Sequence, residues 1–374
     1  MRWLSIPTAI ATLVFITPAA HATASIIELM PAYGWPAAQA SAVNEAGLVS
    51  GMSASPNPFP RPSSNTAVRW DGPDPTPLGS GNGVGINSQG DVLVHWVRKV
   101  AGPLISSMGV WSNGTTTRRT PPENGLGVAT TRDINDAGVV PVAYNGPGYD
   151  DYYPDHAGAW RNGTFAQLPL GDTGSRVVHR LVNNRGTTAG ARHTGEESYA
   201  FRCSSTRCTR LPGIDEASFY YPMALNESDA VAGHAYVAGK YRAVLWSGDS
   251  ATALPGEDAQ VSDNVHAINR HGDVVGWLNH SGTRKPVLWR DGKAIDLGTS
   301  GFGEAIAVND RGDVVGWDNG NDGFRVFLWR AGTLTTLPQP EGVLVKPAGL
   351  SNSGFAIGNS IGLPDPRAFR WTLS

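Results

Sequence analysis

The sequence is poor in cysteine and in charge, and it lacks the short motifs of several enzyme classes. Among its 374 residues there are 2 cysteines, 16% of the residues are charged, and the net charge at pH 7 is −3. The charges are dispersed and form no basic stripe, so we expect no nucleic-acid partner. There is no HExxH zinc motif, no GxSxG elbow and no GxxxxGK phosphate loop. These absences exclude sites built by one short segment, but not a site assembled from several.

Long apolar runs are confined to the start of the chain. Residues 1–22 contain Arg2, an apolar run and the small-residue site Ala20-His21-Ala22, which predict a cleaved secretory signal. An uncleaved anchor is the alternative. No later run approaches the ~18 apolar residues of a membrane-spanning helix. We therefore expect a mature chain of residues 23–374 without a transmembrane segment, exported to the periplasm or the extracellular space.

What the sequence has in abundance is an internal repeat of eight copies. A turn glycine recurs at Gly47, Gly90, Gly138, Gly186, Gly272, Gly312 and Gly354, with Asp229 at this position in the fifth copy. Three residues earlier stand Asn44, Asn87, Asn135, Asn183, Asn226, Asn269 and Asn309, with Ser351 in the last copy. A tryptophan follows each turn at Trp70, Trp111, Trp160, Trp246, Trp289, Trp329 and Trp371, with Cys203 in the fourth copy.

Each copy has the composition of consecutive antiparallel strands. Valine, leucine, threonine and aromatic residues fill its runs, and Asn and Gly separate them. A period of roughly 40 to 45 residues with four strands is typical of a β-propeller blade. We predict an all-β fold, in which residues 23–374 form one domain of eight four-stranded blades. A seven-bladed propeller is the alternative.

The copies resemble the HAF repeat family, which is found in exported bacterial proteins. The family motif combines AxxINxxGxVVG with an AFLW segment, and the sixth copy reads AINRHGDVVGW followed by PVLWRDGKAIDLG. The resemblance runs through most of the chain. It implies a propeller-like repeat protein that is exported, and it implies no catalytic residues.

The two ends of the chain predict how the ring closes. The last copy ends shortly after RAFRW and lacks a fourth strand, whereas Ser25 to Leu29 match a fourth strand with no preceding blade. We expect Ile26 and Ile27 to pair beside Phe369 and Trp371, which removes an open sheet edge.

The two cysteines predict a disulfide. Cys203 and Cys208 align with Trp289 and Ala294 of the sixth copy, which flank a hairpin turn as a directly opposed cross-strand pair. Export to an oxidising compartment permits the bond.

The two faces of the predicted ring differ. The Asn-x-x-Gly turns and the hairpin turns after each third strand are short and regular, and we call their side the Asn-turn face. The connections after the second and fourth strands are long and varied, and theirs is the variable-loop face, where we expect a ligand. Aromatic and carboxylate side chains suit sugars or cations. The candidates, centred between blades three and five, are Tyr149, Asp150, Asp151, Tyr152, Tyr153, His156, Glu216, Tyr220 and Tyr221. The alternative is that these tyrosines pack on neighbouring blades.

Two further groups of residues are candidate sites. Arg132, Arg180 and His266 occupy one equivalent position near the axis, where they would hold an anion or form salt bridges, for example with Asp133. Asp318 and Asp322 lie in a DNGNDG stretch that resembles the start of a calcium loop, with a plain polar loop as the alternative. No other cofactor or metal is expected.

These observations favour a binding or interaction scaffold over an enzyme. The expected partner is a glycan or an envelope protein. The alternatives are a polysaccharide hydrolase or lyase with its site near the axis, and a purely structural envelope component.

Overall fold

The computed structural model of the chain describes residues 24–55, 65–99, 104–119, 128–129, 131, 133–145, 154–170, 176–195, 197–205, 207–256 and 264–374. These residues form eight four-stranded antiparallel sheets, each packed on the next around a ring. The fold is the predicted eight-bladed β-propeller, and the seven-bladed alternative is wrong. Within this described part, no helix has the length and apolar character needed to cross a bilayer.

The strands follow each other from the inner to the outer edge of each blade. Blade one has β2 (Ala37–Val43), β3 (Val49–Ala54), β4 (Asn65–Trp70) and β5 (Pro75–Ser80). Blade two has β6 (Asn82–Ile86), β7 (Val92–Lys99), β8 (Leu104–Ser112) and β9 (Thr115–Arg119). Blade three has β10 (Val128–Ala129), β11 (Val140–Tyr144), β12 (His156–Arg161) and β13 (Thr164–Gln167). Blade four has β14 (Arg176–Val182), β15 (Thr188–His193), β16 (Ser198–Cys203) and β17 (Cys208–Arg210).

The second half of the ring has the same order. Blade five has β18 (Ala217–Leu225), β19 (Val231–Val237), β20 (Lys240–Ser247) and β21 (Ser250–Ala253). Blade six has β22 (Asn264–Ile268), β23 (Val274–His280), β24 (Thr283–Arg290) and β25 (Lys293–Asp296). Blade seven has β26 (Phe302–Val308), β27 (Val314–Gly320), β28 (Gly323–Arg330) and β29 (Thr333–Thr336). Blade eight has β30 (Leu344–Leu350), β31 (Phe355–Ile361), β32 (Ala368–Leu373) and, from the other end of the chain, β1 (Ala24–Leu29); a short 3-10 helix (Ala32–Gly34) follows β1.

The ring closes as the chain ends predict. Strand β1 pairs antiparallel with β32, so that Ile26 lies opposite Trp371 and Glu28 opposite Phe369. Leu29 is fully buried in the cluster that joins blades eight and one. One chain end thus completes the sheet begun by the other.

The repeat tryptophans join neighbouring blades. Trp70, Trp246, Trp289 and Trp371 are among the largest fully buried side chains. The indole N–H of Trp289 donates to the Pro255 carbonyl of blade five at 2.8 Å, and that of Trp246 donates to Pro212 of blade four at 2.9 Å. Since Trp70, Trp246, Trp289 and Trp371 each fill a core and donate to a carbonyl of the preceding blade, their recurrence follows from blade stacking.

In the fourth blade the disulfide takes the tryptophan position. Cys203 and Cys208 are directly opposed across β16 and β17, with their Cα atoms 4.0 Å apart, and they are bonded. The predicted disulfide is confirmed.

The asparagines of the Asn-turn face connect the blades as well as closing their own turns. The Asn269 side-chain oxygen accepts the backbone N–H groups of His271 and Asp273, both at 3.0 Å. Its amide nitrogen donates to the Asn309 carbonyl of the next blade at 3.0 Å. The same inter-blade bond is made by Asn44, Asn87, Asn135, Asn183 and Asn226.

Candidate functional site

A β-bulge recurs at an equivalent position in the inner strands of seven of the described blades. In the described inner strands other than β10, the bulged residues are Ser41, Val84, Arg180, Met223, His266, Ile306 and Ala348. A bulge leaves one residue unpaired and re-aims its side chain. The Arg180 guanidinium lies 3.0 Å from the Met223 sulfur of the next blade, so neighbouring members of this ring touch. Arg180 and His266 therefore occupy equivalent bulge positions in blades four and six, and Arg132 lies outside the described residues.

Part of the predicted loop site between blades three and five also lies outside the described residues. This applies to Tyr149, Asp150, Asp151, Tyr152 and Tyr153. Their predicted role in binding stays a prediction.

His156 is described and stands at the start of β12. Its ring nitrogen Nδ1 lies 2.6 Å from a carboxylate oxygen of the buried Asp155, and its ring packs on Tyr144 with centroids 5.4 Å apart. Both contacts come from its own blade.

The segment from Gly213 to Tyr221 separates into exposed and packed residues. Glu216 is exposed, with a left-handed backbone (φ 60°). Tyr220 is 6% exposed, and its hydroxyl accepts from the Ile214 N–H at 3.1 Å and donates to the Ile214 carbonyl. Its ring meets Trp246 edge-on. This placement favours the packing alternative for Tyr220.

Tyr221 belongs to a cluster of rings on the variable-loop face, which we call the blade-five cluster. Its ring lies 5.5 Å from His193, 5.9 Å from His234 and 5.8 Å from Tyr241. Burial, with neighbouring positive groups, lowers the pKa of both His193 and His234 to about 4. The two imidazoles are therefore neutral at pH 7. The other members of the cluster are Phe219 and Tyr236.

A cavity of about 670 Å³ opens on the same face between blades seven and eight, and we call it the blade-seven pocket. Its lining residues are Phe302, Trp317, Asn319, Phe324, Leu344, Lys346 and Ile361. Trp317 stacks on Phe324 at 5.5 Å, and Phe302 meets it edge-on at 5.6 Å. Phe302 is 45% exposed and Leu344 47% exposed, so apolar surface is presented to solvent.

A buried carboxylate paired with basic side chains adjoins this pocket. Glu304, on β26, pairs with Arg284, with Lys346 at 3.3 Å and with His266 at 3.5 Å. Burial would raise the pKa of Glu304, but hydrogen bonding to His266 and the charge of Lys346 outweigh it and lower the pKa to about 2. The Lys346 ammonium also lies 4.8 Å from the centre of the Trp317 ring. Lys346 thus belongs to both the pocket and the ion cluster.

The blade-five cluster and the blade-seven pocket use the same repeat positions. Counted from the turn asparagine, Phe219 corresponds to Phe302, His234 to Trp317 and Tyr241 to Phe324. The sequence prediction missed the pocket because it compared the long connections and the ring position, whereas these side chains lie at the strand ends. Aromatic residues at matching positions in copies five and seven are the signal that could have identified it.

The calcium candidates are placed by the hairpin between β27 and β28. Asp318 is fully buried, and both of its carboxylate oxygens accept from Arg325, at 2.6 and 3.1 Å. Asp322 stands in the exposed turn. Among the described residues, no group of three or more His, Cys, Asp and Glu side chains is arranged to hold a metal ion.

Comparison with known proteins finds similarity in fold. No protein-family model matches the chain, and no curated protein matches it. A prolyl endopeptidase structure matches with a TM-score of 0.55 and 12% identity, over 88% of this chain and 55% of that one; this chain thus spans about half the length of that enzyme. The β-propeller domain of the Trilobed protease from Pyrococcus furiosus, described as having an open velcro topology, matches with a TM-score of 0.50 and 12% identity, over 82% of this chain and 97% of that one. At these identities the likeness concerns the propeller fold alone.

Proposed function

We propose that the protein is an exported binding scaffold that holds a carbohydrate on its variable-loop face, in the blade-seven pocket. The observation that carries the proposal is the convergence of Phe302, Trp317 and Phe324 around an open cavity beside the Glu304 ion cluster. Export is supported by residues 1–22 and by the resemblance to HAF repeats. A glycan of the cell envelope is the proposed partner.

The chemistry of the pocket suits a sugar. The apolar face of a sugar ring stacks on aromatic side chains, and its hydroxyl groups need nearby polar partners. Asn319 and Lys346 supply such partners among the lining residues. A rigid propeller also holds these groups in place before the ligand arrives, which lowers the entropic cost of binding.

The charge state of Glu304 favours binding over hydrolysis. A glycosidase needs a carboxylic acid that keeps its proton near working pH, together with a second carboxylate. With a pKa of about 2, Glu304 is ionised at neutral pH and is a weak base. Its ion-pair partners among the described residues are the basic side chains of Arg284, Lys346 and His266, and none is a second carboxylate.

The test is a glycan and cell-wall-fragment screen of the mature protein, with release of reducing sugar measured in parallel. Phe302→Ser is compared with Phe219→Ser, because the two phenylalanines hold equivalent positions with similar exposure, 45% and 41%. We expect binding without sugar release, lost in Phe302→Ser and kept in Phe219→Ser. The opposite pattern would place the ligand at blade five. Release of sugar would support the enzyme class, and the absence of any bound glycan would overturn the proposal.

A further inference from the structure

Resting on the function proposed above, we infer that the bound sugar is acidic: its carboxylate pairs with Arg284 and Lys346 while its ring lies in the blade-seven pocket. The class of ligand is thereby narrowed from carbohydrates in general to uronate-type glycans. This assignment rests on which members of the Glu304 cluster face solvent, and on how they are held.

The cluster presents positive charge outward. The Glu304 side chain is 7% exposed, whereas those of Arg284 and Lys346 are 43% and 40% exposed. The single carboxylate lies beneath two cations, so the surface that an incoming ligand meets carries a surplus of positive charge. Asp318, on the same blade, does not offset that surplus, because it is buried and paired with Arg325.

The two cations are held in place by contacts on two sides. Arg284 stacks over the Trp277 ring at 4.4 Å and Lys346 over the Trp317 ring at 4.8 Å, while Glu304 pairs with both from below. Long cationic side chains normally lose considerable rotamer freedom on binding an anion. Here that freedom is already restricted in the folded protein, so a carboxylate binds at a smaller entropic cost.

Lys346 belongs both to the Glu304 ion cluster and to the lining of the blade-seven pocket. Because it lines the pocket, an anion bound to its ammonium group has its apolar body beside Phe302 and Trp317. A sugar acid joins these two properties in one unit, with a carboxylate attached directly to a ring whose face stacks on an aromatic side chain. A neutral sugar can hydrogen-bond to Lys346 but offers no negative charge to pair with either cation.

Basic side chains of blades four, five and six lie close to one another. His266 pairs with Glu304 from the bulge of blade six, and Arg180 occupies the same ring position in blade four. Between them lies His234, whose pKa is lowered to about 4 by burial and then by the positive influence of His266 and Arg180.

The test uses ligands matched in size and different in charge. Trisaccharides of galacturonate, glucuronate and mannuronate, each as the acid and as its neutral methyl ester, are titrated into the mature protein by calorimetry. The proteins are wild type, Lys346→Met, Arg284→Met and, as a control, Lys293→Met on the opposite face; their melting curves confirm folding. Titrations are repeated as salt rises from about 0.1 M to about 1 M, which shortens the screening length from roughly 10 Å to 3 Å.

We expect at least one acid to bind about tenfold or more tightly than its ester, since a charge-assisted hydrogen bond exceeds a neutral one by about that factor. Lys346→Met and Arg284→Met should each reduce that preference, high salt should weaken it, and Lys293→Met should leave it unchanged. Equal binding of acid and ester, or binding of neutral glycans alone, would overturn this inference and leave the proposed function standing. Failure of every acid, ester and neutral glycan to bind would overturn both.

Discussion

The two faces of the propeller use their polar groups in opposite ways. On the Asn-turn face, Asn226 is 5% exposed; its oxygen accepts two backbone N–H groups of its own turn and its nitrogen donates to the Asn269 carbonyl. On the variable-loop face, Phe302 and Leu344 are nearly half exposed beside cations that also face solvent. The buried asparagine of one face has its hydrogen-bonding groups satisfied within the ring, whereas the other face presents apolar and charged side chains to solvent.

This difference explains why some repeat positions recur and others vary. A side chain that bonds to the next blade needs the same partner in each copy, so the asparagines and tryptophans recur around the ring. Residues at the strand ends of the variable-loop face make contacts that differ from blade to blade, and their identity differs with those contacts. In a repeat protein of this kind, the residues that recur in every copy therefore stabilise the ring, and the positions that vary between copies are candidates for the binding site.

The largest expected effect comes from opening the ring, on which both faces depend. Deleting Ser25 to Leu29 removes β1, its pairing with β32 and the buried Leu29. We expect the loss of unfolding free energy to exceed the ~3 to 5 kcal/mol of a single large-to-small core change. Chemical denaturation checks it, with Ser25→Ala as the control. A truncated protein of unchanged stability would show that the ring need not close.

Blade six contains one buried tryptophan and one partly exposed tryptophan, and replacing them should cost different amounts of stability. Trp289 is 1% exposed and bonded to Pro255, whereas Trp277 is partly exposed under Arg284. We expect Trp289→Ala to cost roughly 3 to 5 kcal/mol of unfolding free energy. Trp277→Ala, the matched control, should cost clearly less. Equal losses, measured by urea denaturation, would remove the distinction between the two positions.

Acid should weaken the variable-loop face before the Asn-turn face. The folded pKa of His193 is about 4, below the ordinary value of 6.5, because burial and then Arg176 disfavour the charged ring. Its contribution to stability is therefore present above pH 6.5 and is lost as the pH falls towards 4, amounting to up to about 3 kcal/mol. Asp273 has a pKa below its ordinary 3.8: burial would raise it, but Arg290 outweighs that effect. Its contribution is lost only at lower pH.

Unfolding free energy measured between pH 7 and pH 4 checks this order. His193→Asn should flatten the profile in that window, and Asp273→Asn should change its level but not its slope. Asp133 acts in the opposite direction, since burial raises its pKa to about 6 and its protonation adds stability as the pH falls. Asp133→Asn should therefore steepen the decline. A His193→Asn profile as steep as that of the wild type would contradict the assignment of His193 as a buried neutral ring.

A smaller effect is expected from one asparagine of the Asn-turn face. Asn269→Ala removes a 3%-exposed side chain that accepts two hydrogen bonds and donates one to the next blade. Leaving such buried groups unpaired costs about 1 to 3 kcal/mol. Thermal melting measures the loss, and Asn269→Ser, which keeps an acceptor of the kind that Ser351 offers to the Phe355 N–H in blade eight, should retain more stability than alanine. A fully stable alanine variant would mean that the inter-blade bond contributes little.

Much of the fold was predictable from the sequence, because it rests on local patterns repeated eight times. The blades, the burial of Trp289, the Cys203–Cys208 disulfide and the pairing of Ile26 with Trp371 follow from turn residues, strand alternation and copy alignment. The role of the asparagines between blades did not follow, because that bond joins residues 40 or more positions apart. The sequence of a single copy predicts the role of the asparagine in its own turn, but not its bond to the next blade.

The site was less predictable, because it depends on where strand ends from two blades meet. Phe302, Phe324 and Leu344 stand in copies that look regular, and their convergence follows from blade packing and from the bulges that shift the inner strands. Arg180 and His266 were identified because they share one repeat position. Tyr220 shows that loop composition alone does not identify a binding residue, since its ring is buried and its hydroxyl is hydrogen-bonded within the fold.

The most direct test of the account compares Phe302→Ser/Leu344→Ser with Asn269→Ala, measuring glycan affinity and melting temperature on the same samples. Exposed changes typically cost within about 0.5 kcal/mol each, so the pocket variant should melt close to wild type. It should nevertheless lose its glycan, while Asn269→Ala should melt earlier yet bind with unchanged affinity below its transition. Wild-type affinity in the pocket variant, together with lost binding in a still-folded Asn269→Ala protein, would contradict the division of the propeller into a supporting face and a binding face.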